Sequence, residues 1–136
     1  MSENSLPTPT PKVNPETKPF WDATAEGKLL LKRCNQCQTV IWYPRFLCPA
    51  CASTDTLWFE ASGEGVVYSY TVTRRGQGHY WQATPYVLAY VELAEGPRVL
   101  TNIVDCVPES VTIGQKVEAV FHDTGEGSAL VRFRPA

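Results

Sequence analysis

The sequence predicts a mainly β protein: a short N-terminal helix, a small cysteine-stapled β region, and then a five-stranded closed or half-closed barrel. Four cysteines stand as two CxxC pairs among β-type runs too brief to bury a core of their own. After Gly63 and Gly65 the runs lengthen and place apolar residues at period two, the pattern of strands with one buried face. A length of 136 residues allows about one ordinary domain or two very small ones, so both regions must be compact.

Residues 1–16 carry Pro7, Pro9, Pro11 and Pro15 among Ser, Thr, Asn and Lys, which favours a flexible, solvated tail. Residues 17–27 fit a short helix: Thr17 can cap it, Pro19 is tolerated in the first turn, and Gly27 suits a left-handed stop. Phe20, Ala23 and Thr24 would share its buried face. Residues 29–31, 40–42 and 57–59 are short strands interleaved with the cysteine pairs, so residues 17–60 form the helix and metal-stapled unit. The barrel occupies residues 61–136, with strands expected at 66–74, 86–93, 98–104, 116–122 and 129–134. Val67, Val87, Ala89, Val91, Val117, Ala119, Phe121, Val131 and Phe133 are its expected core, while Tyr68 and Tyr70 point outward.

Twelve Lys and Arg against fourteen Asp and Glu, a net charge of −2, remove any bulk-charge argument for a polyanion partner. No run approaches the roughly 18 apolar residues of a membrane helix, and the N-terminus lacks a signal-peptide layout, so a soluble cytoplasmic protein is expected. Cytosolic thiols stay reduced, which turns the five cysteines toward metal or catalysis rather than disulfides.

Cys34-Asn-Gln-Cys37, ten residues, and Cys48-Pro-Ala-Cys51 form two knuckles at a spacing that lets four thiolates converge, the excursion between them running out and back as a hairpin. That is the arrangement tetrahedral Zn²⁺ requires, and four Cys ligands leave no position open for water, so the ion is expected to be structural, one per chain. Zinc modules of this kind gain on the order of 10–16 kcal/mol from the metal, enough to order a segment without a large core. The formal charge of −2 on such a site is more than offset by Lys28, Lys32, Arg33 and Arg45, since residues 28–54 hold no Asp or Glu. A redox role for the CxxC pairs is the alternative.

These residues resemble a known family, the OB-fold and zinc-ribbon proteins associated with acyl-CoA metabolism. The resemblance covers residues 15–135 and rests on FWDATAEGKLLLKRC, the double CxxC with Tyr43-Pro44-Arg45 between the pairs, SGEGVVYSYTVTRR, PYVLAYVELAEGPRVLTNIV, IGQKVEAVF and VRFRP. Gln38 departs from it, standing where such knuckles often carry Gly. The resemblance implies an N-terminal helix, a rubredoxin-like zinc ribbon and a C-terminal OB-fold barrel. It also implies a non-catalytic companion subunit of a thiolase-superfamily enzyme, either an acyl-CoA thiolase or a lipid-transfer-type retro-aldolase of steroid side-chain breakdown. Acyl-CoA at the interface and a hot-dog-fold enoyl-CoA hydratase are further implied contacts.

No catalytic set is legible: His79 and His122 are the only histidines, and neither lies near a candidate thiol nucleophile in sequence. Cys106 follows an apolar strand and reads as a small buried hydrophobe, and His122 as an exposed or capping residue at a strand end. The loop at 75–85 is longer than a hairpin needs. Arg74 and Arg75 suit phosphate, while His79, Tyr80 and Trp81 offer rigid contact surface for CoA or a partner, or else fold back over one barrel end. Arg45 is placed to meet a nucleotide phosphate or a partner carboxylate, or to serve a local structural role. Trp42 and Trp58 are expected to pack between ribbon and barrel. The competing class is a nucleic-acid-binding zinc-ribbon/OB module; the acidic balance and the lack of a basic stripe around Tyr68 and Tyr70 count against it.

Overall fold

The computed structural model describes residues 6–136; the part of the expected tail at residues 1–5 lies outside them. Helix α1 (Lys18–Thr24) begins with Pro19 in its first turn, where a missing N–H costs nothing. Thr17 stands at the N-cap position but its hydroxyl caps no helical N–H. The turn is made instead by Asn14, whose Oδ1 accepts from Thr17 N at 3.0 Å and whose carbonyl accepts from Lys18 N at 2.8 Å. Phe20, Ala23 and Thr24 are the buried face, as the pattern predicts. Thr24 does more than fill space: its Oγ1 donates to Trp21 O at 2.6 Å and accepts the Ala129 N–H at 3.0 Å, a buried bond spanning 105 residues.

Strands β1 (Leu30–Cys34), β2 (Val40–Ile41) and β3 (Thr56–Glu60) form an antiparallel sheet in the order β2-β1-β3. The excursion between the cysteine pairs does not make the expected hairpin of its own. Only Val40 and Ile41 are strand, and they pair back onto β1. Pro44 follows closely, is buried, and has no N–H to give a ladder, so the chain leaves the sheet there.

The remaining strands are β4 (Glu64–Thr73), β5 (Tyr86–Leu93), β6 (Arg98–Ile103), β7 (Lys116–Asp123) and β8 (Ala129–Pro135). They close into a barrel in the order β4-β5-β6-β8-β7, the OB-fold arrangement. The long β4 serves both edges: it pairs along its length with β5, and its first residues pair with β7. A register shift between Val67 and Ser69 gives it the added curl. Gly65 sits at this double pairing, where a Cβ would meet Val91 Cγ1 at 2.6 Å and Glu92 O at 2.8 Å. At the opposite seam β6 and β8 run parallel and share a single register pair, Ile103 with Phe133.

One core runs through both halves. Phe20, Leu29 and Leu31 from the helix and ribbon belong to the same buried cluster as Val67, Val87, Ala89, Val91, Val117 and Phe133. Trp42 and Trp58 pack against it from the ribbon side, as expected. Ala119, Phe121 and Val131 reach it but stay half-buried; Phe121 and Val131 each border a surface cavity.

The expected solvated tail is tethered over its described part. Pro7 O accepts from the Arg132 guanidinium at 2.6 Å, and Glu16 accepts the Phe46 N–H at 2.7 Å. Among the described residues no helix is long and apolar enough to cross a membrane.

Replacing Thr24 by Val keeps the shape but orphans the buried Ala129 N–H. It should cost about 1–3 kcal/mol, read as a lower urea midpoint with unchanged slope. Gly65→Ala forces a methyl against β5 backbone and should destabilise by about 1–3 kcal/mol in the same measurement.

Candidate functional site

The two cysteine knuckles are the same turn used twice. Gln38 N donates to Cys34 O at 2.9 Å and Ala52 N to Cys48 O at 2.8 Å, while Cys34 N and Cys48 N donate to Thr39 O and Ser53 O, each at 2.9 Å. The turn requires a left-handed residue just after each second cysteine, and Gln38 (φ 67) and Ala52 (φ 65) adopt it without being glycine. The turns aim sulfur inward: Cys37 N and Ala50 N approach Cys34 Sγ and Cys48 Sγ at 3.5 and 3.4 Å.

The four sulfurs of Cys34, Cys37, Cys48 and Cys51 lie within 4.8 Å of one another, with 3.6 Å between Cys34 and Cys51 and between Cys37 and Cys48. A tetrahedral ion bound at about 2.3 Å sets its sulfurs about 3.8 Å apart, so the donor set fits a four-thiolate metal with no ligand position left over. The Thr39 hydroxyl and backbone hold the Cys37 thiol down to about 6. At Cys51 the Ser53 backbone N–H favours the thiolate, but burial and the three neighbouring sulfurs outweigh it and push the thiol up to about 12. Four thiolates cannot share this space without a cation between them.

Of the four cations expected to balance the cluster, two are engaged on aromatic faces, while Lys28 lies 3.8 Å from Glu26. Lys32 is buried, lies 4.9 Å over the Trp58 ring and donates to Arg45 O at 3.1 Å; burial lowers its pKa and Glu16 opposes that. Arg33 stacks on Phe59 at 4.6 Å. The Arg45 side chain is exposed, beside exposed Phe46 and Leu47.

The loop after β4 divides its residues between two tasks. Gly76 packs so closely on the Tyr80 backbone that a Cβ there would lie 2.8 Å from Tyr80 C, and a 3₁₀ turn over Gly78–Ala83 follows. Tyr80 turns inward, 5.7 Å from the Tyr86 ring. Trp81 is 61% exposed, and His79 and Arg75 are exposed as well. Arg74 is already paired with Glu109 at 2.9 Å, which holds the Glu109 carboxyl below its ordinary range.

Tyr80 and Tyr43 wall a cavity of about 400 Å³ that also takes in Trp21, Trp42, Leu100, Leu130 and Arg132. Arg45, Arg74, Arg75, His79 and Trp81 are not part of it. Arg132 is the site residue that sequence reasoning passed over; its signal is a cation between Val131 and Phe133 in a strand facing the core. It is only 2% exposed, and it lies 2.9 Å from His122 Nδ1. His122 is therefore neither an exposed nor a capping residue but half-buried against a guanidinium, because the tail and Tyr80 cover this face. Burial first and Arg132 second lower the His122 pKa, with Asp105 opposing. Cys106 is half-buried against the core and its thiol is pushed up by burial, as a packing residue should be.

Gln38→Gly relieves the left-handed strain of about 1–2 kcal/mol at the cost of backbone entropy, and should raise stability by about 0.5 kcal/mol, seen as a higher urea midpoint. His122 has a folded pKa below its ordinary 6.5, so its contribution to stability is present above that value and is lost as pH falls through 6.5 toward the folded pKa. Urea midpoints at about pH 7.5 and about pH 5.5 should show a smaller drop for His122→Gln than for the unaltered chain.

Two family models match in tandem: the ChsH2 rubredoxin-like zinc ribbon domain over residues 21–56 and the ChsH2 C-terminal OB-fold domain over residues 58–122. Over 128 residues the chain is 37% identical to a Thermomonospora curvata protein named "Probable enoyl-CoA hydratase alpha subunit", covering 94% of this chain and 40% of that protein. It is 44% identical over 90 residues to a DUF35 domain-containing scaffold protein of Methanocaldococcus jannaschii, covering 65% of this chain and 64% of the relative. A scaffold protein of the same description from Methanothermobacter thermautotrophicus is 41% identical over 95 residues, covering 69% of this chain and 71% of its own length. The chain thus spans well under the full length of the first two relatives. Among solved structures, a chain of the Ltp2-ChsH2(DUF35) aldolase superposes with a TM-score of 0.82 at 36% identity, covering 93% of this chain and 98% of that one. A DUF35 protein from Sulfolobus solfataricus shares the fold at a TM-score of 0.66 and 17% identity, over 91% and 87% of the two chains. With zinc-ribbon knuckles, an OB barrel and these relatives in agreement, the chain belongs to the DUF35 family.

Proposed function

We propose that this chain is a non-catalytic companion subunit of a thiolase-superfamily enzyme, required for that enzyme's assembly or activity. The observation that carries the reading is the likeness, over nearly the full length of both, to a chain of the Ltp2-ChsH2(DUF35) aldolase, reinforced by relatives named as scaffolds. The reaction is carbon–carbon bond cleavage in an acyl-CoA, retro-aldol or thiolytic, and the partner performs it. A steroid-derived or aromatic acyl group is the proposed substrate class, and this rests on family resemblance alone. The hydratase name of the Thermomonospora curvata relative supports a hot-dog-fold hydratase as a further associate. The cytoplasm is the proposed compartment.

The chain's own residues supply binding and order. One structural Zn²⁺ per chain, held by Cys34, Cys37, Cys48 and Cys51, would fix the ribbon. That places Arg45, Phe46 and Leu47 as a rigid contact tip, Phe46 and Leu47 being 56% and 50% exposed. Arg75, His79 and Trp81 form the second proposed contact, with CoA phosphate or the partner, whereas Arg74 and Tyr80 act by positioning this loop. A nucleic-acid role gains nothing from the barrel face: Arg98, stacked 3.9 Å over Tyr68, is already paired with Glu92.

Purification of the tagged chain from its native cells should recover a thiolase-superfamily protein and about one zinc per chain, the metal identified by elemental analysis. Fully active partner protein in the absence of this chain, or recovery of RNA in its place, would overturn the reading. Cys48→Ser should lose the metal and the assembly together. Trp81→Ala should keep metal and thermal stability yet weaken partner binding by about 2 kcal/mol, roughly 30-fold, in a titration of the complex.

A further inference from the structure

Among the described residues, Arg132 is a buried cation without an anion. It is 2% exposed, and no carboxylate among the described residues lies within 4.0 Å of it. Its partners are neutral: Pro7 O at 2.6 Å, His122 Nδ1 at 2.9 Å, and the nearby Tyr80 phenol. A guanidinium has five N–H donors in a planar fork, and the contacts with Pro7 O and His122 Nδ1 leave the fork incompletely used. Burying such a charge is costly unless something negative meets it.

Arg132 lines the cavity of about 400 Å³ at the seam where β6 and β8 share only one register pair. The sparse pairing leaves an opening between the strands, bridged by Thr101 Oγ1 donating to Val131 O at 3.0 Å. The other walls are mostly aromatic or aliphatic, with Trp21, Trp42, Tyr43 and Leu130 among them and Thr101 and Asn102 the polar exceptions, and among the described residues Arg132 is the one lining residue with a formal charge. Volume, apolar walls and a single orienting charge are the ordinary make-up of a small-molecule site.

We propose that this cavity binds an apolar monocarboxylate, its ring or chain laid against Trp21, Trp42 and Tyr43 and its carboxylate on Arg132. One planar fork matches one carboxylate in charge and geometry. A phosphate dianion would bring a second charge that no other lining cation meets. This site lies beyond the companion-subunit role and does not depend on it.

Calorimetric titration of the full metal-loaded chain with 2-naphthoate and with its uncharged amide tests the proposal. The acid should bind at least about tenfold more tightly than the amide. Arg132→Gln should make the two alike, and Leu130→Trp, which fills the cavity beside an intact Arg132, should weaken both by at least about tenfold. Equal affinity of acid and amide for the unaltered chain, or no binding of either, overturns the proposal whether or not Arg132→Gln folds. Binding that Leu130→Trp leaves untouched overturns it too, by placing the ligand elsewhere.

Discussion

The packing of Phe20 and Leu31 into the same buried cluster as Val91 and Phe133 is the contact on which the rest of the molecule depends. A three-stranded sheet whose middle strand has five residues, and whose second has two, cannot bury enough apolar surface to stand alone. It is held at both ends: by the sulfur cluster at the knuckles and by the barrel core at its base. The Thr24 hydroxyl adds a directional bond to that apolar join, meeting the Ala129 N–H and fixing where the helix sits on β8. Ribbon and barrel therefore behave as one body, so a contact made at the ribbon tip is rigidly referred to the barrel.

A second consequence concerns the barrel seam. Closing five strands in this order puts β6 beside β8 in parallel, and the chain manages only one register pair there. A backbone group that a ladder would satisfy is met by a side chain instead, Thr101 donating to Val131 O. The same shortfall opens the aromatic cavity. Tail, loop and barrel all meet at Arg132, which explains why a Pro-rich segment with almost nothing to bury is nonetheless held down.

The division of labour in the long loop follows from geometry rather than composition. Gly76 permits the close turn, Tyr80 is drawn inward onto Tyr86, and the turn then carries Trp81 out into solvent. A string of His, Tyr and Trp in sequence looks like one contact surface; folded, it is one inward residue between two exposed ones. The partner reading draws on the exposed pair and on the ribbon tip, and the cavity draws on the inward residue.

Local chemistry made much of this protein legible in its sequence. CxxC spacing depends on turns of a few residues, period-two alternation reports a buried strand face, and Pro19 with Phe20, Ala23 and Thr24 marks a short helix with one inward side. The family resemblance was equally readable, since it lies in ordered local segments. What escaped were properties set by residues far apart in the chain: Asn14 rather than Thr17 making the helix-entry turn, Arg74 closing on Glu109, and His122 meeting Arg132. Arg132 shows the reason most clearly. A cation in a strand reads as solvent-facing, because its burial cannot be known until the tail, the loop and β6 have been brought against it.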